Sequence, residues 1–485
     1  MNDAEASEKS LDFRLGPLGA AIPLIFFVIW AVTTSMLQLS SELGLVIGIL
    51  MGITLGLFFC RSAWQKYAET LFEGMTQPVG VVAIIAWFYA GVFAQVLQVG
   101  GLVEGLVWLG GVSGATGGVF VALTFLLAAV FSTAVGTGYG TVVAFCTLMY
   151  PAGVMLNADP VILFGAILSG AIFGDNLAPV SDTTIISAST QNADAPGVVR
   201  SRLKYAVAAA IPTVILFAIF GGGSGVEGAD ASAVADIMNS TNPAGLGMLI
   251  PFAVVLALAF SGQHLISSLT WGILVAVILI PSIGTGALTD ILAFDASEPD
   301  VITGALAKGI DGYINMAVLI MLIVTAAHLM RVGGTMNYVT KTLMNWIGNS
   351  VRRVEVANWA IVGLLNSAIT INTAAEITAA PFVRDLGSRF RLHRYRLANM
   401  LDAVTSAMGY IFPWGAPVLL GWSAIQTAQE QYGWLPIVSP TSVFPFVFDG
   451  WILLFVMLFA ALTGWGRTYE GADGSQMRER PATGA

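Results

Sequence analysis

The sequence predicts an all-α polytopic membrane protein with about 11–13 transmembrane segments. Three observations carry that prediction. Of 485 residues, 56% are hydrophobic and 10% charged, where soluble domains average roughly 25% charged. Long apolar runs recur along the whole chain, many of them near the roughly 20 residues that a spanning helix needs. The runs do not alternate polar with apolar residues. Helices, not the strands of a closed barrel, therefore satisfy their backbone groups in lipid.

The runs fall at 18–36, 43–59, 79–99, 119–135, 141–155, 161–173, 205–220, 246–260, 265–280, 314–330, 359–369 and 451–463. They divide the chain into a tail (1–17), a first transmembrane repeat (18–220), an acidic linker (221–244), a second repeat (245–466) and a closing tail (467–485). The first tail carries Glu5, Glu8 and Asp12. It lacks the basic start and small-residue cleavage site of a cleaved signal, so the first helix is expected to anchor the chain. Cys60 and Cys146 sit in apolar runs without metal-site spacing and predict no disulfide framework. His264, His328 and His393 are scattered and read as packing or interfacial residues.

Charge sets the expected topology. Basic residues cluster at Arg61/Lys66, Arg200/Arg202/Lys204, Arg331/Lys341/Arg352/Arg353, 384–396 and Arg467/Arg478/Arg480. Acidic residues cluster at Glu227/Asp230/Asp236 and Asp290/Asp295/Glu298/Asp300. Basic short loops stay inside, which places both termini in the cytoplasm and the acidic loops outside. The predicted location is the inner (plasma) membrane, and the expected surroundings are the lipid bilayer. The stretch 356–381 begins and ends beside basic loops. It reads either as a re-entrant hairpin or as a span with one basic loop outside. A net charge of −9 argues against nucleic acid, which calls for a basic patch. The sequence leaves room for a homodimer.

The polar residues inside these apolar runs carry the chemistry. Gly174-Asp175-Asn176-Leu177-Ala178-Pro179-Val180-Ser181-Asp182-Thr183-Thr184 sets two carboxylates and several other oxygens at membrane depth, where such groups mark ion or substrate paths. Gly174 is expected to cap a half-helix ending at 173. Pro179 disfavours helix at Ala178, and Ser181 or Asp182 is expected to cap a second half-helix. The gap, with Asp175 in it, faces the negative end of the first half-helix, which favours a cation. Asp175, Asn176, Ser181, Asp182 and Thr183 are the leading candidates. No basic residue lies near Asp175 or Asp182 along their helix, and no arginine is read within the central membrane segments.

A second polar pair stands further along. Residues 132–141 followed by 174–184 are echoed by 366–376 followed by 399–406. Thr137 to Asn372 is 235 positions and Asp175 to Asp402 is 227. A common offset near 230 is what an inverted duplication predicts. This adds Thr137, Asn372, Glu376 and Asp402 to the candidates. Gly409 and Phe412-Pro413-Trp414-Gly415 are expected to break the helix that carries Asp402. Each residue also has a plain alternative. Thr137 can pack, Glu376 can sit at the membrane edge near Arg384, and Asp311 can reach water beside Lys308.

Gly174-Asp175 with Pro179-x-Ser181-Asp182-Thr183-Thr184 resembles the motif of the NhaC-type sodium/proton antiporter family. Residues 132–141 and Asp402 with Thr405-Ser406 and Pro413-Trp414 support the likeness, which covers roughly 15–465. The resemblance implies an inverted-repeat transporter with discontinuous helices, moving sodium and protons with carboxylates in the ion path. It implies no cofactor and no enzyme. Asp175, Asp182 and Asp402 are then the expected sodium ligands. Many members carry a lysine where this chain has Asn176, a difference that bears on selectivity. The chemistry suits exchange: one buried carboxylate holds either sodium or a proton, and alternating exposure to the two faces makes an antiporter. The alternative is a sodium- or proton-coupled carrier of a small organic acid or amino acid. An intramembrane enzyme lacks a metal or nucleophile motif here, and a channel fits the paired broken helices less well.

Overall fold

The computed structural model describes residues 11–37, 39, 41–178, 181–223, 242–261, 263–294, 302–335, 338–339, 341–342, 350–369, 371–471 and 473–479. Most of the expected linker lies outside them, as do Glu227, Asp230, Asp236, Asp295, Glu298 and Asp300.

Among the described residues the first half holds ten α-helices: α1 (Ile22–Met36), α2 (Glu42–Phe59), α3 (Trp64–Met75), α4 (Pro78–Val99), α5 (Leu102–Ser113), α6 (Gly117–Val135), α7 (Gly138–Met155), α8 (Pro160–Leu177), α9 (Asp182–Thr190) and α10 (Ala195–Phe220). The second half holds α11 (Leu249–Phe260), α12 (Leu265–Ile283), α13 (Ala305–Asp311), α14 (Ile314–Val332), α15 (Val351–Ile369), α16 (Asn372–Arg389), α17 (Arg394–Ile411), α18 (Ala416–Gln431) and α19 (Phe448–Thr463). The described strands form only two short antiparallel ribbons. Eight described spans are long and apolar enough to cross a membrane, or up to ten if each bent pair counts as one. Two further apolar helices, Gly117–Thr133 and Pro243–Leu258, are shorter.

Position in the bundle follows composition. Every residue of α7 is buried, so its Thr141 and Thr147 face protein and not lipid. Outer helices carry apolar stripes instead. On α10, Ile211, Ile215 and Ile219 are exposed at i, i+4, i+8, a lipid-facing ridge. The opposite face of α10 buries Val198, Arg202, Tyr205, Ala209, Thr213 and Phe217.

Element boundaries repeat with one constant shift. Gly117 to Val351, Gly138 to Asn372, Pro160 to Arg394, Leu177 to Ile411 and Asp182 to Ala416 are each 234 positions apart. Thus α6 to α9 correspond to α15 to α18. Each set is a helix pair followed by a helix broken in two. The breaks share one cause. Ala178 before Pro179 and Phe412 before Pro413 are both extended, with ψ of 120 and 138, because proline excludes the helical conformation from its predecessor. Pro179 and Pro413 are themselves 234 apart. The packing is reciprocal: α9 lies on α16, and α18 lies on α7.

Several expectations need correction. Gly174 does not cap α8, because the helix runs on to Leu177. Asp175 therefore sits in the last turn and not in the gap. Gly409 likewise lies inside α17, which ends at Ile411. The spacing near 230 becomes 234, so Asp175 corresponds to Gly409 and not to Asp402. The stretch 356–381 falls on two packed helices, α15 and α16, which is the hairpin of its first reading.

Candidate functional site

Asp159 starts α8: its carboxylate accepts from the backbone amides of Val161 and Ile162, both at 2.9 Å, with Pro160 at the first position. About four and a half turns further on, the far end of the helix carries Asp175 and Asn176. Asp175 is 1% exposed. Ser181 Oγ donates to its Oδ1 at 2.7 Å, and Tyr410 OH donates to its Oδ2 at 3.2 Å. Ser181 Oγ also lies 3.0 Å from Thr183 Oγ1. Ser181 occupies the N-cap position of α9 without making a side-chain cap, since its hydroxyl is committed to Asp175.

Tyr410 reaches Asp175 from α17 because Gly138, at the start of α7, has no side chain. A Cβ there would lie 1.8 Å from the Tyr410 hydroxyl. The second half uses the opposite arrangement. Asn372, the counterpart of Gly138, lays its Oδ1 over Gly409, where a Cβ would lie 2.0 Å from it. Asn366 Nδ2 holds that Oδ1 at 3.2 Å. Glu376 is fully buried and accepts from Thr405 Oγ1 at 2.8 Å.

Asp402 has a different environment. It is fully buried and ion-paired to Arg202 Nη1. Its Oδ2 also accepts from Thr184 at 3.1 Å and Ser187 at 3.2 Å. Its Oδ1 accepts from Ser406 at 2.9 Å. Arg202 Nη1 donates to the backbone carbonyl of Asn176 and, at 3.2 Å, to its Oδ1. Arg202 Nε donates to Asn399 Oδ1 at 3.3 Å. The expectation of no arginine at membrane depth is therefore wrong: Arg202, assigned to a basic loop, is 0% exposed. A second buried arginine, Arg396, pairs with Glu355 at 2.7 Å. Glu355 also holds Arg467, tying α15 and α17 to the chain after α19.

The structure thus brings Asp175, Ser181 and Thr183 together, and Asn176 with Asp402 through Arg202. Asn372 and Glu376 line the second hairpin beside α17. Thr137 precedes Gly138 at the start of α7, and its carbonyl accepts from Thr141 Oγ1 at 2.9 Å. Asp182 is the first residue of α9, and its side chain lies outside the described residues. No group of three His, Cys, Asp or Glu side chains converges on a metal-sized point among the described residues. Sequence reasoning missed Arg202, Asn399 and Tyr410. Helical spacing held the signal for Arg202. Residues 200, 202 and 204 cannot share one helix face, and Arg202 falls in line with the buried Val198 and Ala209.

Separately, a polar cavity of about 510 Å³ opens between α2, the α13–α14 join and α18. Glu42, Lys308, Asp311, Asn315, Gln426 and Glu430 line it, and none of the candidate residues does.

A multi-span bundle with paired broken helices and carboxylates buried within them defines a secondary active transporter. The chain belongs to the Na+/H+ antiporter family, whose model matches residues 16–222 and 229–451. Among its relatives, the arginine/ornithine antiporter ArcD of Halobacterium salinarum is 23% identical over 83% of this chain and 86% of its own length. The Na(+)/H(+) antiporter NhaC of Bacillus subtilis is 24% identical over 84% of this chain and 91% of its own. The malate-2H(+)/Na(+)-lactate antiporter of Bacillus subtilis is 28% identical, but this chain spans about half of it (46%). These relatives are antiporters, and the chain is a secondary active antiporter.

Proposed function

We propose that the chain exchanges cytoplasmic sodium for external protons across the plasma membrane by alternating access, with both termini cytoplasmic. Asp175 is the carboxylate that the two ions share. The carrying observation is that Asp175 is buried between two hydroxyls, Ser181 and Tyr410. Such hydroxyls can donate to the carboxylate and still offer lone pairs to a cation. Thr183, against Ser181, extends the oxygen shell, and Asp182 stands one residue away. Glu376 with Thr405 and Asn372 forms the corresponding polar cluster of the second half. Families of this kind move one repeat against the other around a fixed site, and the reciprocal contacts of α9 and α18 lie at that boundary.

Reconstituted protein in a proton-flux assay tests the proposal. Sodium alone should drive proton movement. Asp175→Asn should abolish it. Ser181→Ala should raise the sodium concentration needed by about tenfold, as loss of one hydrogen bond to a charged group implies. Proton movement that ignores sodium, or an active Asp175→Asn protein, overturns the proposal.

A second reading is a sodium- or proton-coupled carrier of a small organic acid or amino acid. It gains from Arg202, whose Nη2 is buried without a hydrogen-bond partner among the described residues, as is Asn176 Nδ2. Two relatives are, by name, antiporters of such compounds. Proton movement only when an organic acid or amino acid is added selects this reading.

A further inference from the structure

α8 ends at Leu177, and the end of a helix presents partial negative charge and carbonyls without internal donors. Such an end draws a cation. The structure already holds one there, because Arg202 Nη1 donates to the Asn176 carbonyl. The guanidinium comes from α10, a different helix, and three further acceptors fix it. With Thr184 Oγ1 at 3.4 Å as a fourth, they are Asp402 Oδ2, Asn176 Oδ1 at 3.2 Å and Asn399 Oδ1 at 3.3 Å. Asn399 is itself held, since its Nδ2 donates to Ser201 Oγ at 2.7 Å. Asp402 is equally committed. Its two oxygens take donors from Thr184, Ser187, Ser406 and Arg202. Arg202, Asp402, Thr184, Ser187 and Ser406 are all fully buried. Withdrawing either member of such a pair would leave an uncompensated charge out of water, which is strongly unfavourable.

Among the described side chains, Asp175 and Asp402 therefore take donors of different kinds. Asp175 is met by hydroxyls, and Asp402 by a guanidinium that never loses its charge. We propose that Arg202 is a resident cation. It fills the position at the end of α8 that a transported cation would otherwise take, and it keeps Asp402 as its permanent counter-ion. Asp402 then binds neither sodium nor a proton during exchange, and the cycle turns on Asp175. This inference rests on the sodium–proton reading for the identity of the ion. It adds the exclusion of one of the three expected sodium ligands.

Equilibrium binding of radioactive sodium to the purified full-length protein tests it. Asp175→Asn, with the Arg202–Asp402 pair intact, should lose all saturable sodium binding. Residual binding that disappears in Asp175→Asn/Asp402→Asn overturns the proposal. Arg202→Gln should gain a second sodium site, visible as a two-site curve, and lose it again in Arg202→Gln/Asp402→Asn. A folded Arg202→Gln protein with an unchanged single-site curve overturns it too. Should Arg202→Gln fail to fold, infrared difference spectra of the unmutated protein decide. The Asp402 carboxylate band, assigned by its loss in Asp402→Asn, should stay fixed on sodium addition and across the neutral pH range. A sodium-induced shift of that band, or its conversion to the protonated form, overturns the resident-cation assignment. If the unmutated protein binds no sodium, the sodium–proton reading falls, and the pH arm of the same spectra still decides whether Arg202 holds Asp402 ionised.

Discussion

Ser132 and Asn366 stand 234 positions apart and make the same bond to residues that are also 234 apart. Ser132 Oγ donates to the Ala171 carbonyl at 3.1 Å, and Asn366 Nδ2 donates to the Thr405 carbonyl at 2.5 Å. In both halves the first arm of a helix pair is thereby fastened to the helix that will break a few residues later. Side chains differ between the halves while the tether persists, so the repeat is preserved in its joints more than in its letters.

The tether gives a graded expectation. Ser132→Ala removes one hydrogen bond and should cost about 1 kcal/mol of stability. Asn366→Ala removes the tether and also the bond to Asn372 Oδ1 at 3.2 Å, so its loss should be about twice as large. Thermal unfolding in detergent checks both. Equal losses would mean that the Asn372 bond contributes nothing.

The two hairpin starts divide space in opposite ways. Gly138 yields to the Tyr410 hydroxyl, and Asn372 yields nothing but lies over Gly409. Gly138→Ala and Gly409→Ala should each destabilise by about 1–3 kcal/mol, the usual cost of forcing extra volume into a packed core. Only Gly409→Ala should be relieved by shortening its neighbour in Gly409→Ala/Asn372→Ala. In Gly138→Ala the tyrosine must leave Asp175, so sodium-driven proton flux should fall even where the protein stays folded. Melting curves with matched flux assays separate the two effects.

Composition and apolar runs made the helical membrane fold legible, and Pro179 marked a break that the backbone obeys at Ala178. The repeat was legible in outline only. Thr137 to Asn372 at 235 and Asp175 to Asp402 at 227 blur the register, because Asp175 corresponds to Gly409 and not to Asp402, while Pro179 and Pro413 carry it at 234. The acidic residues of the candidate site were visible because charge in an apolar run is conspicuous. Arg202 was not, because it stands at the edge of a run, between Arg200 and Lys204, and looks like loop charge until helical phase is applied. Tyr410 was hidden for another reason. Its reach to Asp175 depends on an empty position at Gly138, a contact between segments that no local pattern encodes.

At the turn between α9 and α10, Asp194 accepts from Tyr395 OH at 2.5 Å and from the Gly197 amide at 2.7 Å. The Tyr395 hydroxyl, followed by the Gly197 amide, holds the Asp194 carboxyl below its usual pKa. A depressed carboxyl pKa stabilises the fold above the unfolded value, near 4, and that contribution disappears as pH falls through the folded value. Tyr395→Phe should therefore lower the melting temperature at neutral pH, and the gap to the unmutated protein should close on acidification below about pH 4. The site is exposed and solvent-screened, so the effect should stay below about 1 kcal/mol. A gap that widens on acidification contradicts the assignment.

Gly174 offers a test in which the two views of the break differ in sign. If Gly174 were only a loosely placed helix residue, Gly174→Ala would stabilise α8 by up to about 1 kcal/mol, the ordinary gain in helix propensity. The structure sets it against α6, where a Cβ would lie 2.1 Å from Ser132 Cβ and 2.5 Å from the Thr133 backbone nitrogen. A flexible side chain could move aside, but a backbone atom moves only if the whole helix does. α6 cannot retreat freely, because Ser132 is fastened to the Ala171 carbonyl of α8. Gly174→Ala should therefore push the two helices apart, break that tether and destabilise by about 1–3 kcal/mol, as overpacked cores do. The displacement occurs one residue before Asp175, so the sodium requirement for proton flux should rise along with the loss of stability. Unfolding and flux measured on the same preparation decide between the two, and a stabilised, fully active Gly174→Ala protein would remove the close approach of α6 and α8 from the account of the site.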